Sequence, residues 1–424
     1  MNSDPIDQLR CLLAALATNP FYAPRLQAAG LDKNVDSVAT FLATMPLTTK
    51  QELVDDQRAS PPFGTNLTYL LESYTRFCQT SGTSGQTLRW LDTKESWEWM
   101  VGSWVEVFRA AAVTASDRVF YAFSFGPFLG FWTAFAAGER LGCLCLPGGG
   151  MSSAARLKTI LENDVTTICC TPTYAIRLGE VAVEEGIDLA QSAVRKIIVA
   201  GEPGAGIPAT RARIESLWPG AQLFDHHGMT ETGPVSVPCP ARPGVLHILE
   251  SHFIPEVLNP ETLQPPPPGG RGELLLTNLG RLGSPLLRYR TGDLVQAGKR
   301  EVCACGRWDL ALEGGILGRT DDMVVVRGVN LYPSAIEAVL RKFGEIAEYR
   351  VTLTTANALR EAIIELEPLP SCPDPEALRV AAESALRATF HLRLPTVLVA
   401  PGTLPRSEFK AQRWVRPESP SALV

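Results

Sequence analysis

Residues 77–90 read FCQTSGTSGQTLRW, and the run from Thr80 through Ser81, Gly82, Thr83 and Ser84 to Gly85 holds only Ser, Thr and Gly. Bare backbone N–H groups in such a run form a concavity for anions, and hydroxyls add donors without bulk, so the segment suits phosphate. A solvated turn of the same composition is the plain alternative. It is not a Walker A loop, because the Gly-Lys-Ser/Thr ending is missing, Gln86 standing where Lys would be. A second set of reactive types is Cys303-x-Cys305, followed by Gly306 and Arg307, with Cys239 and His247 upstream. Three thiolates and one imidazole suit a tetrahedral structural Zn2+; His252 is a spare ligand, and four small packing residues are the alternative reading. The third set is aromatic. The stretch VFYAFSFGPFLGFW brings Phe123, Phe125, Phe128 and Trp132 together, either as walls for a flat ring or as ordinary core.

Elements that position these groups are legible between residues 140 and 240, where one rhythm repeats. RLGCLCLP leads through Gly148, Gly149 and Gly150 into SSAARLKTILEND, VTTICCTP leads into TYAIRLGEVAVEEG, VRKIIVAGEP leads into ATRARIESLWPG, and AQLFDHHG follows. Short apolar runs alternating with amphipathic segments predict an α/β fold, a parallel or mixed sheet covered by helices, with its ligand at the carboxyl ends of the strands. Cys169 and Cys170, on one of these strands, read as packing. After them NPETLQPPPPGGRGELLLTNL reads as an extended loop entering a strand. A further boundary falls near ILGRTDDMVVVRGVNLYP, beyond which a strand, a helix opened by Pro333, more strands and a helix near 374–390 predict a small α+β tail domain.

A chain of 424 residues, 45% hydrophobic and 20% charged, exceeds what one core usually covers. Its net charge of -6, without a Lys/Arg run, speaks against nucleic acid and for a small-molecule partner. No window of about 18 uncharged apolar residues suggests a membrane span, and the first twenty residues carry no export signal. The ten scattered cysteines then fit reduced thiols or a metal site, and a cytoplasmic compartment.

Five motifs in order, TSGTSG, HGMTE (227–231), YRTGD (289–293), GRTDD (318–322) and PRSEFK (405–410), resemble those of the adenylate-forming superfamily of acyl-CoA synthetases, adenylation domains and luciferases. Within it AAGERLGCLCLPGGG, CCTPTYAIRL, LLRYRTGDL and LGRTDDMVVVRGVNLYPSAIE are similar to the phenylacetate-coenzyme A ligase branch, across nearly the whole chain. The resemblance implies a large N-terminal domain of mixed sheets covered by helices, residues 1–317, and a small mobile C-terminal domain, residues 318–424. It places ATP's β- and γ-phosphates on the Thr80–Gly85 loop, the α-phosphate at Thr230, and Mg2+ at Glu231. Asp293 would take the ribose hydroxyls with Arg319 assisting. Ala200, Gly201, Glu202 and Pro203, with Asp225, His226, His227, Gly228 and Met229, would surround the nucleotide. Lys410 would bridge substrate carboxylate and α-phosphate, and Asp321 would be the hinge. Taken singly, a turn acid at Asp293, a helix cap at Glu231 and a solvated lysine at Lys410 are the plain alternatives. Some sequences of this branch also carry a similar CxCGR segment.

The implied reaction is attack of a carboxylate, here an aromatic one, on ATP's α-phosphate to give acyl-adenylate and pyrophosphate, then displacement of AMP by the thiol of coenzyme A. Three positions depart from the pattern. Gln86 and Thr87 replace the usual Lys-Pro, so charge at pyrophosphate is weaker or comes from another basic residue. His227 replaces a tyrosine, and Phe409 replaces the glycine before Lys410. They leave open an amine, hydroxyl or carrier-protein thiol as acceptor, and a non-catalytic nucleotide-binding homologue. A homodimer is the assembly the resemblance leaves open.

Overall fold

Five strands form a parallel sheet in the order Leu144–Pro147, Arg118–Tyr121, Thr167–Cys170, Lys196–Val199, Gln222–Asp225. The computed structural model describes residues 4–32, 35–80, 87–327, 329–356, 359–407 and 412–415. The loop positions Ser81, Gly82, Thr83, Ser84 and Gly85, and also Lys410, lie outside the described residues. Side chains of the parallel strands alternate between two cores, as a pleated strand with period two requires. Val119, Tyr121, Cys169, Ile198 and Phe224 face helices Lys94–Ala110 and Trp132–Leu141. Phe120, Ile168, Cys170, Ile197 and Leu223 face helices Ser153–Glu162, Pro172–Glu184 and Pro208–Leu217. Because both faces are covered, the strands read as unbroken apolar runs. That is why the first of them, Arg118–Tyr121, hides within a stretch whose aromatics look like pocket wall.

The chain enters at a central strand, crosses to one side and returns to the other, which puts a switch point between the ends of Arg118–Tyr121 and Thr167–Cys170. Ligands of open α/β sheets bind at such points. A second sheet, antiparallel and six-stranded, runs in the order Ser236–Pro238, Leu246–Ile248, Ala311–Arg319, Tyr289–Ala297, Arg271–Asn278, Phe253–Leu258. Its register sets Asp293 directly opposite Arg319. Of four N-terminal helices, the first three and their flanks pack Leu9, Leu12, Tyr22 and Phe41 against Ile254, Leu279 and Leu287. The fourth, Lys50–Ala59, opens with a capping box: Glu52 N–H donates to Thr49 Oγ1 at 3.2 Å, and Thr49 N–H donates to Glu52 Oε2 at 2.7 Å. Thr48, just before it, donates its hydroxyl to the Leu287 carbonyl at 2.8 Å, so the start of this helix is held beside the YRTGD strand.

From Val324 onward the chain has a core of its own, built on Val351, Leu353, Ile364, Leu366, Ala382 and Leu386. Strands Ile346–Ala356 and Leu359–Pro368 pair antiparallel, and Thr396–Leu398 and Trp414–Val415 flank them in parallel. Helices Pro333–Leu340 and Pro375–Phe390 complete this part. Arg413 donates to Glu348 at 2.6 Å and to Glu337 at 3.2 Å, which pins the segment just past Lys410 to the tail. Where the tail meets helix Pro172–Glu184, a narrow cleft is lined by Arg177, Glu180, Arg341, Glu348, Arg406 and Arg413. Burial pushes the Glu180 carboxyl up, and Arg341, Arg213 and Arg406 offset only part of that. Among the described residues no helix is long and apolar enough to cross a membrane.

One ion pair ties distant segments of the part before the tail together without touching water. Arg281 and Asp92 are both fully buried. The guanidinium donates to Asp92 Oδ1 at 2.6 Å and Oδ2 at 2.7 Å, and its Nη1 donates to the carbonyls of Thr230 at 2.7 Å and Glu231 at 2.8 Å. Removing one partner strands a charge in low dielectric, which costs about 3–5 kcal/mol, whereas replacing both by apolar side chains is far milder. Asp92→Ala is therefore expected to lower the unfolding free energy obtained from urea denaturation by about that amount, with a matching fall in the midpoint, and Asp92→Leu with Arg281→Met to recover most of it. An unchanged midpoint in Asp92→Ala would show that the pair is not a structural tether.

Candidate active site

The carboxyl ends of the parallel strands open into a cavity of about 120 Å³. Phe123, Thr171, Ala200, Gly201 and His226, each just past a strand end, form its floor, and Gly228, Met229 and Thr230 one side. Trp104, Leu129 and Phe131 close it. Of the four predicted aromatic walls, Phe123 and Phe128 line the cavity. Phe125 and Trp132 do not. They pack behind it, ring centroids 4.7 Å apart, with Trp132 Nε1 donating to the Gly126 carbonyl at 3.0 Å. The first turn of helix Trp132–Leu141 points Trp132 to the helix side rather than to the strand ends.

The AGEP segment also divides. Ala200 and Gly201 line the cavity, whereas Glu202 accepts the Thr173 N–H at 2.9 Å near the start of helix Pro172–Glu184, and Pro203 is not in the lining. Asp225 is turned away as well, into a second small cleft beside Arg211 and Cys239. Burial pushes its carboxyl up to about 6. It accepts the His226 N–H at 3.1 Å, so it shapes the turn that carries the two histidines.

Those histidines have different surroundings. His226 lies against Trp104, ring centroids 4.3 Å apart, and its Nδ1 is 2.8 Å from the Ser236 carbonyl. Burial pushes the imidazole down to about 3, so the ring is neutral. His227, expected beside the nucleotide, places Nε2 at 2.8 Å from Asp293 Oδ2. The other oxygen, Asp293 Oδ1, accepts from Arg319 at 3.2 Å across the strand pair. Burial raises the Asp293 carboxyl, and His227, Arg319 and Thr291 together outweigh this and leave it below its ordinary value. Gly292 makes the arrangement possible: its φ is +76°, and a Cβ there would sit 2.8 Å from the Arg319 guanidinium. Arg319 also donates to Asp321 at 2.9 Å, so the proposed hinge acid and the proposed ribose acid share one cation.

Glu231 is buried, and its Oε1 lies 3.5 Å from Lys50 Nζ. Lys50 escaped sequence reasoning, because nothing local in MPLTTKQEL says that its helix starts beside a residue 181 positions downstream (231 minus 50). Its local signal was the Thr49/Glu52 capping box. Arg281, Trp104 and Phe131 were missed for the same reason, being long-range neighbours. At the loop's base Thr80 is closed onto Leu88: the Leu88 N–H donates to Thr80 Oγ1 at 2.9 Å.

The cysteine set does converge. The ligand atoms of Cys239, His247, Cys303 and Cys305 all lie within 4.8 Å of one another, with Cys239 Sγ 3.6 Å from Cys303 Sγ and Cys305 Sγ 3.4 Å from His247 Nε2. His247 Nδ1 lies 3.1 Å from the Asp309 carbonyl, which directs Nε2 inward. The N–H of Cys305 holds the Cys303 thiol down to about 6. His252 pairs with Ser251 at 2.9 Å instead.

Comparison with known proteins gives this geometry a family. Residues 72–280 match the model of AMP-binding enzymes, and residues 328–416 that of the AMP-binding enzyme C-terminal domain. The phenylacetate-coenzyme A ligase of Thermus thermophilus is 30% identical over 413 residues, 92% of this chain and 90% of that protein. A 2-hydroxyisobutyryl-CoA ligase in its postadenylation state, bound to an acyl-AMP, superposes with a TM-score of 0.90 at 27% identity, over 98% of this chain and 89% of that one. The same ligase with CoA in its thioesterification state scores 0.69 at 28% identity, over 97% and 88%. Since sequence is constant between those two, the difference is one of arrangement, and the present structure matches the postadenylation one. With its mixed sheets, its separate tail core and its five ordered motifs, the chain belongs to the phenylacetate-coenzyme A ligase family of AMP-forming acid–thiol ligases.

Proposed function

We propose that this enzyme uses ATP and Mg2+ to convert an aromatic carboxylic acid to its acyl-adenylate and then passes the acyl group to the thiol of coenzyme A. The observation that carries the reading is the aromatic cavity at the sheet's switch point, bordered by Thr230, with the buried Glu231 next in the chain and the Asp293–Arg319 pair joined to His227, the neighbour of the cavity-lining His226. Phe123 and Phe128 present ring surface to a flat acyl group. Asp293, kept ionised by its partners, can accept from ribose hydroxyls. Glu231 is the residue that would hold Mg2+, a hard cation that takes carboxylate and phosphate oxygens and neutralises charge at the transferring phosphoryl group. Lys50, pointing at Glu231, supplies the cation that Gln86 and Thr87 leave out of the phosphate loop. Lys410 would complete charge neutralisation at the α-phosphate, which is the kind of stabilisation that matters when charge develops in an in-line displacement.

Residues 318–424 form the part that rotates between the half-reactions, about Asp321. In support, Asp321 is exposed and held by Arg319 alone among the bonds described for it. The Cys239, His247, Cys303 and Cys305 cluster holds structural Zn2+. A tetrahedral site with Zn–S near 2.3 Å separates its ligands by roughly 3.8 Å, close to the 3.6 Å and 3.4 Å observed. Its role is to fasten the loop between strands Tyr289–Ala297 and Ala311–Arg319 to strand Leu246–Ile248.

A panel of carboxylic acids scored for both pyrophosphate release and thioester formation tests the main reading: aromatic acids should give both products. Pyrophosphate without thioester would move the acceptor to an amine, hydroxyl or carrier protein. Asp321→Pro, which stiffens the backbone at the hinge, should keep pyrophosphate release and lose at least tenfold in thioester formation; equal effects on the two would rule out Asp321 as hinge. Elemental analysis of protein expressed with ample metal should find one zinc per chain, and Cys303→Ser with Cys305→Ser should abolish it. A substoichiometric value in the unmodified protein would show the cluster to be packing.

A further inference from the structure

Two polar groups on residues that line the cavity have no hydrogen-bond partner among the described residues. The Ser236 carbonyl can only accept, so at 2.8 Å it fixes the proton of His226 on Nδ1. Nε2 is then a lone pair, and His226 lines the cavity with no further hydrogen bond among the described residues. The ring stays neutral, because burial has pushed it down to about 3. Thr133 is fully buried in the first turn of helix Trp132–Leu141, lines the same cavity, and its hydroxyl has no partner. The rest of the wall is Trp104, Phe123, Phe128, Leu129 and Phe131. An acyl group that is hydrocarbon throughout would fill the volume and leave an acceptor and a hydroxyl buried without partners, which a folded site tolerates poorly.

We propose that the pocket selects an aromatic acid bearing a hydrogen-bond donor on its ring, a hydroxyl or an amino group, which donates to His226 Nε2 with Thr133 completing the contact. This rests on the aromatic reading of the pocket given above and names the class of substituent. His226 acts as a specificity-determining residue: its acceptor is directional and cannot become a donor while Ser236 holds the tautomer. A site built around a directed hydrogen bond discriminates strongly against the analogue that lacks the group, far more than a purely apolar slot does against an extra atom.

The test uses the full-length enzyme with ATP and Mg2+, reading pyrophosphate release for benzoate and phenylacetate and for their ring-hydroxy, ring-amino and ring-methoxy forms. At least one hydroxy or amino isomer should exceed its unsubstituted parent by about 10²-fold in kcat/KM. The methoxy form, which occupies similar space but cannot donate, should not. In His226→Leu the ratio of donor-bearing to unsubstituted acid should fall to about one, and His226→Asn, whose amide oxygen can accept, should retain part of it. Thr133→Val should lower the ratio by a smaller factor. Equal kcat/KM for parent, methoxy and donor-bearing acids in the unmodified enzyme would overturn the inference while leaving the aromatic reading in place, and needs no variant to fold. A loss in His226→Leu that is the same for every acid would also overturn it, since that is what a structural role produces. Turnover confined to acids without an aromatic ring would overturn the underlying reading and this inference together.

Discussion

A guanidinium sealed from water must satisfy its donors inside the protein, and Arg281 does so with the Asp92 carboxylate and the carbonyls of Thr230 and Glu231. Asp92 sits in the strand that leaves the Ser/Thr/Gly loop, Arg281 follows a strand of the six-stranded sheet, and the two carbonyls belong to the HGMTE segment. Three stretches far apart in sequence are thereby held in one geometry by bonds that solvent cannot compete for. The position of Glu231 follows from this, and Lys50, 3.5 Å away, has a fixed charge to meet. Without the pair, the carbonyls of Thr230 and Glu231 would be free to turn, and with them the acid that faces Lys50.

Charge elsewhere in the site is balanced in the same local way. Asp293 stays ionised in a buried strand because His227 and Arg319 lie on its two oxygens, and Arg319 is opposite it by sheet register rather than by chance contact. Gly292 leaves room for that guanidinium. One consequence is that His227 is bound to an acid instead of lying open, so a histidine at this position decides what Asp293 touches.

Sequence patterns conveyed the elements better than their contacts. The repeated strand–turn–helix rhythm was legible because parallel strands and amphipathic helices leave different periodicities, as in VTTICCTP followed by TYAIRLGEVAVEEG. The strand Arg118–Tyr121 was not, since a strand covered on both faces has no alternation to distinguish it from pocket wall. The cysteine and histidine set could be read from residue type alone, and its four ligand atoms do meet. By contrast the split of Phe123 and Phe128 from Phe125 and Trp132 depends on where a helix begins, and Lys50, Trp104 and Arg281 became visible only when distant elements were brought side by side.

The cleft between helix Pro172–Glu184 and the tail bears on how the two surfaces hold each other. Its walls are Arg177, Glu180, Arg341, Glu348, Arg406 and Arg413, charged groups on both sides, while the tail keeps its apolar residues in a core of its own. A joint lined in this manner, if it parted, would wet ions rather than bare oily surface. Turnover would then carry little risk of colloidal self-association, and the tightness of the joint would be set by ionic strength more than by temperature.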